Sequence, residues 1–406
     1  MTTRPTPPAR AFRNPAAAPP EEPYGPVRSS GLDAEGFAAA FAEISRWPGY
    51  AATPLVALPA LARELGFAML WYKDERSRFG LKSFKALGGA YAVANVLRGK
   101  LAAALGREVP GSELVDGRHA ALVAKETVTC ATDGNHGRSV AWGARLFGCR
   151  CVIYVHETVS QGRRDAIAAY GAEVVEVKGT YDDAVRHAAA QAAAHGWTVV
   201  SDTSYPGYTA IPTDVMHGYG VMAEEVAAQL GQAPPTHVLV QAGVGAFAGA
   251  MCAHFWIRWG ERRPRFVVVE PREADCIYRS LEAGHPVVVG GALDTAMAGL
   301  ACGEVSELAW PILAGGANVA VAIGDEDAFA AMRRLATPTG GDTPIVSGET
   351  GGAGLGALLA AASDPALREA LGLAEDSRVL ILGSEGDTDP VIYRKIVGRS
   401  AEEVLA

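Results

Sequence analysis

Between residues 151 and 200 short apolar runs alternate with longer amphipathic ones. Cys151-Val152-Ile153-Tyr154-Val155 predicts a strand, 161–170 a helix, 173–177 a strand, 182–195 a helix and Trp197-Thr198-Val199-Val200 a strand. Apolar runs separated by helices in this way indicate βαβ units and a parallel sheet. Gly171 and Gly196 follow the two helices, where a left-handed cap is wanted. Later apolar runs at His237-Val238-Leu239-Val240, Phe266-Val267-Val268-Val269 and Val379-Leu380-Ile381-Leu382 predict a second set of buried strands. Each leads into Gly, Glu or Pro residues, as expected where an open α/β sheet presents ligand loops.

A chain of 406 residues exceeds one ordinary core. The pattern therefore predicts an α/β protein of two open, twisted domains with mainly parallel sheets: a large domain over 31–96 and 209–406, and a smaller one inserted over 97–208. The first 30 residues carry eight prolines and no apolar core segment, so a flexible arm is expected there and not a signal peptide.

Composition narrows the function. A net charge of −9, without clustered Lys and Arg, argues against nucleic acid and for small-molecule ligands. No uninterrupted apolar run reaches about 18 residues, so no membrane span is expected and the reading is a cytoplasmic protein. Cysteines at 130, 149, 151, 252, 276 and 302 lack the Cys-x-x-Cys spacing of a metal site, and no metal is expected. Reduced core thiols are the reading, with pairing of Cys276 and Cys302 left open.

Four segments carry candidate chemistry. Ala131-Thr132-Asp133-Gly134-Asn135-His136-Gly137 places a carboxylate in a glycine-rich turn, and the apolar run from Ser139 to Leu146 predicts a helix opening there. Free N–H groups at such a helix start favour an anion, although Asp-Gly-Asn also suits an ordinary surface turn. Lys85 lies among small and apolar residues in Phe79-Gly80-Leu81-Lys82-Ser83-Phe84-Lys85-Ala86-Leu87-Gly88-Gly89. Burial there would free an amine nucleophile; the other reading is a lysine that reaches solvent at a helix start. Gly243-Val244-Gly245-Ala246-Phe247 follows a predicted strand and opens a helix, as a phosphate cradle does, but without dinucleotide-fingerprint spacing. Ser384, Asp202 and Glu349 stand in loops of the same kind, Ser384 and Asp202 just past apolar strands.

An amine nucleophile, a phosphate cradle and polar partners for an aromatic ring together suggest pyridoxal phosphate. Ser83-Phe84-Lys85, the Asp133-Gly134-Asn135-His136 turn, the Gly243 to Gly249 loop and Ser384 occur in the order found in the tryptophan-synthase-β-like (fold type II) pyridoxal-phosphate enzymes. The chain resembles that family over roughly residues 50 to 400. Within it the chain is similar to the diaminopropionate ammonia-lyases, through Phe79-Gly80-Leu81, Ala131 to Arg138, Asp202-Thr203 with Gly207-Tyr208 and Ile211-Pro212, Met297 to Glu304, and Glu385 to Pro390. Ser139 stands where the pattern leads one to expect glycine.

The resemblance implies a cofactor cleft between the domains and a homodimer. It implies that Lys85 holds pyridoxal 5'-phosphate as an internal Schiff base, that Gly243, Val244, Gly245, Ala246 and Phe247 bind its phosphate, that Asn135 meets the ring hydroxyl, and that Ser384 faces the pyridine nitrogen. The implied reaction is α,β-elimination of D- or L-2,3-diaminopropionate to pyruvate and ammonia. Ser83, Thr132, Asp133, Asp202 and Glu349 are the expected substrate contacts, with Lys85, Asp133 and Asp202 catalytic. In dehydratases of this fold a small neutral residue stands in place of Asp133, so its carboxylate is expected to meet the substrate's second ammonium. A serine/threonine dehydratase of the same fold, or a non-catalytic pyridoxal-phosphate-binding protein, is the alternative.

Overall fold

The computed structural model describes residues 8–406 apart from Asp133 and Gln232. The strands β1 (Arg10–Arg13), β2 (Leu55–Ala57) and β3 (Met69–Asp74) come first in the chain. They are followed by β4 (Thr127–Ala131), β5 (Arg150–His156), β6 (Glu173–Val177) and β7 (Thr198–Val199), and then by β8 (His237–Gln241), β9 (Arg265–Pro271), β10 (Val319–Ile323) and β11 (Arg378–Gly383). Five helices position the candidate residues: α1 (Ala86–Leu105), α2 (Asn135–Phe147), α3 (Ala210–Leu230), α4 (Ala246–Trp259) and α5 (Glu349–Ser363).

The chain divides into two compact units. One runs to Asp33 and resumes over Ala52–Ser77 and Met222–Ala406; the other holds Ala34–Ala51 and Arg78–Val221. In the first unit seven strands form one sheet in the order β1-β10-β9-β8-β11-β3-β2. Its five central strands are parallel, and β1 and β2 close the edges antiparallel. Strands β8, β10 and the body of β11 are buried throughout, which explains their unbroken apolar runs. The second unit carries a four-stranded parallel sheet in the order β6-β5-β4-β7. Its helix at Tyr181–His195 begins with a capping box between Thr180 and Asp183 and ends at Gly196 in the left-handed region, as the sequence predicts.

The structure corrects two boundaries. The expected division at 97 falls inside α1, and the unit that holds the four-stranded sheet runs instead from Arg78 to Val221. The reason is packing: α1 lies along α2 through small residues. A Cβ on Gly143 would stand 2.8 Å from Ala90 Cα, and one on Gly89 would collide with Ser139 Oγ. Ser139, which also donates to the His136 carbonyl at 2.6 Å, is thus accommodated by the glycine facing it. Lys85 accordingly belongs to the same unit as Asp202.

The proline-rich segment is the second correction, since its described part is ordered. Arg10–Arg13 pairs with β10, Ala18 N donates to Gly315 O at 2.7 Å, and because the prolines beyond β1 lack N–H groups their stretch is held largely through its carbonyls. Arg263 donates to Ala18 O and Pro19 O at 2.9 and 2.6 Å and stacks 4.2 Å from the Trp256 ring centroid, while Trp256 Nε1 donates to Glu22 O at 2.8 Å.

One buried polar network in the first unit is not foreshadowed by the sequence pattern. Lys73, on β3, is fully buried and donates to Thr53 O, Glu225 Oε2 and Gln229 Oε1 at 2.8, 2.7 and 3.1 Å. All six cysteines are free, Cys276 and Cys302 included. Among the described residues no helix is long and apolar enough to cross a membrane.

Candidate active site

In the Arg78–Val221 unit, β4 and β7 are parallel neighbours, so Thr132 and Asp202 emerge from the same end of the sheet. The turn between β4 and α2 is built on Thr132, whose Oγ1 accepts the N–H groups of Gly134 and Gly137 at 3.0 and 3.1 Å. Asp133, within that turn, lies outside the described residues. Asn135 is half-buried at the first position of α2. His136, buried beside it, places Nε2 2.8 Å from Val200 O and Nδ1 3.5 Å from Asp202 Oδ2.

Lys85 sits at the start of α1, with Ser83 Oγ accepting its backbone N–H at 3.4 Å. Its Nζ lies 2.6 Å from Asp202 Oδ2 and 5.5 and 5.6 Å from the ring centroids of Phe84 and Tyr219. The side chains of Lys85 and Asp202 keep 22% and 16% of their surface exposed, so the pair is partly sheltered yet open to a ligand. Burial alone would push Asp202 up, but the His136 ring and the Lys85 ammonium hold its carboxyl well below the usual carboxylate range. Burial would likewise lower Lys85, but the charge of Asp202 outweighs it and keeps the amine protonated in this form.

The other predicted residues lie in the unit of the seven-stranded sheet. β8 ends at Gln241, a turn over Ala242–Gly245 intervenes, and α4 starts at Ala246, so Ala246 and Phe247 form the first turn of the helix and not part of the loop. Gly245 has φ +92°, which favours glycine, and a Cβ on Gly243 would stand 3.0 Å from both Cys302 Sγ and Gly299 O. This bare backbone before a helix N-terminus is shaped to receive an anion. β8 pairs with β11, which brings the residues at their ends together: Gln241 Nε2 donates to Ser384 Oγ, both side chains being buried. The serine's own proton is left to donate elsewhere. Glu349 is buried at the start of α5 in this unit.

The sequence alone assigns no role to His136, Gln241, Tyr208 or Tyr219. The signal for the first two is their place beside Asn135 and beside the glycine loop; Tyr219 reaches Lys85 from α3, and only the fold reveals that. Taken unit by unit, the groups suit the parts of a phosphorylated pyridine aldehyde: the Arg78–Val221 unit offers an amine for the aldehyde, and the unit of the seven-stranded sheet offers an uncluttered backbone turn for the phosphate and a neutral buried hydroxyl for a ring nitrogen.

A family model described as "Pyridoxal-phosphate dependent enzyme" matches residues 46–385, and the chain belongs to that family. It is 45% identical over 354 residues to the diaminopropionate ammonia-lyase of Escherichia coli (strain K12), covering 86% of this chain and 88% of the relative. It is 40% identical over 365 residues to the diaminopropionate ammonia-lyase of Salmonella typhimurium, with 87% and 90% covered. A crystal structure of the E. coli diaminopropionate ammonia lyase, in complex with an aminoacrylate-PLP azomethine reaction intermediate, superposes with a TM-score of 0.86 at 39% identity over 96% of each chain. Within the pyridoxal-phosphate enzymes the chain belongs with the diaminopropionate ammonia-lyases.

Proposed function

We propose that the chain catalyses the α,β-elimination of 2,3-diaminopropionate, taking up water and releasing pyruvate and both nitrogens as ammonia, with pyridoxal phosphate as cofactor. The observation that carries this reading is the Lys85–Asp202 pair, 2.6 Å from Nζ to Oδ2: a hydroxy-amino-acid dehydratase needs the amine but not an anion held against it. When bound, pyridoxal phosphate supplies the electron-withdrawing ring that makes the substrate's Cα–H acidic.

The chain's own groups do the rest. The turn at Gly243 and Gly245, with the first turn of α4 through Val244, Ala246 and Phe247, binds the phosphate. Ser384, oriented by Gln241, meets the ring nitrogen as a neutral donor, and Asn135 meets the ring hydroxyl. Lys85 accepts and returns protons at Nζ, and Asp202 balances the amine's charge and holds a substrate ammonium. Asp133 holds the second ammonium and serves as the base on the face opposite Lys85; Ser83, Thr132 and Glu349 complete the substrate contacts. The enzyme works as a cytoplasmic homodimer.

Purified protein loaded with the cofactor is assayed for pyruvate from D- and L-diaminopropionate, serine and threonine. Turnover of diaminopropionate at least about 10²-fold above serine is expected, since a buried carboxylate left unpaired costs about 3 kcal/mol; pyruvate from serine alone would overturn the reading. D133N should lose one enantiomer far more than the other, and equal losses would refute the division of labour between Lys85 and Asp133.

A further inference from the structure

Asp202 stands three residues beyond β7, in an irregular stretch, yet its carboxylate holds a 2.6 Å contact with Lys85. Something must keep that stretch still. The backbone just before it is pinned at successive groups. Val200 N donates to Thr129 O at 2.8 Å, and Val200 O meets His136 Nε2 at 2.8 Å. The Tyr208 hydroxyl does the remainder: it donates to Val199 O at 2.9 Å and accepts Ser201 N–H at 2.9 Å. One oxygen thus bridges the carbonyl and the amide on either side of Val200.

Tyr208 can do this because of the turn that carries it. Tyr205-Pro206-Gly207-Tyr208 closes as a tight turn, with Tyr208 N–H donating to Tyr205 O at 2.8 Å and Gly207 at φ +83°. Proline then glycine at the two central positions is the composition of a type II turn. The two rings stack at 4.9 Å between centroids and 15° between planes, although Tyr205 is half exposed. A turn stacked on itself, with the Tyr208 hydroxyl aimed back at its own strand, is more than a chain reversal requires.

We propose that Tyr208 is a positioning residue: its hydroxyl fixes the Val199–Ser201 backbone and thereby the distance from Asp202 to the nitrogen at Lys85. This rests on the proposed role of Asp202. In this role Tyr208 acts through the carboxylate and not by contact with substrate or cofactor.

The test is Y208F in the holoenzyme, which keeps the ring and its stack but removes the bridge. Two readouts are taken: kcat and KM for diaminopropionate, and the pH midpoint of the visible band of the loaded enzyme, which reports protonation of the nitrogen at Lys85. An anion beside that nitrogen favours its protonated form, so a displaced Asp202 lowers the midpoint. Y208F is expected to lower kcat about tenfold with KM little changed, and to move the midpoint in the direction of D202N but less far. In a D202N background, Y208F should then have no further effect on the midpoint or on any residual turnover. Equal losses with and without Asp202 would make Tyr208 a packing residue and overturn the inference, as would an unmoved midpoint in Y208F. A D202N enzyme with the parent midpoint and turnover would sink the role of Asp202, and this inference with it. Should Y208F fold poorly, G207A loosens the turn from outside and is expected to shift the midpoint the same way by a smaller amount; no shift there overturns the proposal.

Discussion

Each unit contains a lysine paired with a carboxylate, and the two pairs behave in opposite ways. Lys73 is fully buried, and its three protons go to Thr53 O, Glu225 and Gln229. An ammonium satisfied on all sides has no reason to give up a proton and no room to react. Lys85 also meets a carboxylate at short range, but it lies against aromatic rings and remains partly open. The lesson is that a buried lysine is not reactive by virtue of burial. What matters is whether its donors are all committed.

The comparison breaks most visibly at Lys85. K85A should lower pyruvate formation by about 10⁴-fold, the upper end for a residue that moves protons, while the melting temperature changes little; residual turnover near the parent rate would place the chemistry elsewhere. K73M should do the reverse. It strands Glu225 without its cation and is expected to remove about 3–5 kcal/mol of stability in urea unfolding, with activity per folded molecule preserved. K73M combined with E225L should recover most of the loss.

A buried carboxyl group without a cation among the described residues sharpens the point. Glu270 accepts the N–H groups of Ile277 and Tyr278 at 2.9 and 2.7 Å, yet burial pushes its carboxyl up to about 8. Its folded value lies above the unfolded one, so the folded state holds the extra proton in the interval between them. Its stabilising contribution is therefore full below the ordinary glutamate range of about 4.3 and is lost as pH rises towards 8. Stability should fall by up to roughly 5 kcal/mol across that interval, and E270Q should flatten the slope; an unchanged slope would show that Glu270 ionises freely. The smallest effect is expected at the cofactor turn, where backbone does the work. G245A, at φ +92°, should cost about 1–2 kcal/mol and weaken cofactor binding to the apoenzyme by about tenfold, read by absorbance titration.

The sequence singled out Lys85, the glycine turn and Ser384 as candidates because glycine or small residues punctuate the chain around each, the turn and Ser384 lying directly after β8 and β11 and Lys85 directly before α1. The βαβ pattern from 151 to 200 was legible for the same reason. β3 was not, because Met-Leu-Trp-Tyr-Lys-Asp reads as partly charged until Glu225 is seen to neutralise Lys73 across 152 residues of chain. The proline-rich segment read as loose because the donors that bind its carbonyls, Arg263 and Trp256, lie more than 200 residues away. His136 was given no role of its own because Val200 and Asp202 come near it only through the β4–β7 pairing, and Tyr208 because its contacts with Val199 and Ser201 depend on the turn at Pro206-Gly207 folding the chain back.

The sheet order also bears on how the molecule is made. β11, the last strand to be synthesised, lies in the interior between β8 and β3. On the ribosome, strands from the start and the middle of the chain must wait for residues 378–383 before they can join, whereas β4 to β7 have every neighbour they need by residue 199. A nascent chain arrested shortly before residue 378 would therefore carry a finished four-stranded sheet beside a larger one split down its middle, with two apolar strand edges exposed for chaperones to cover.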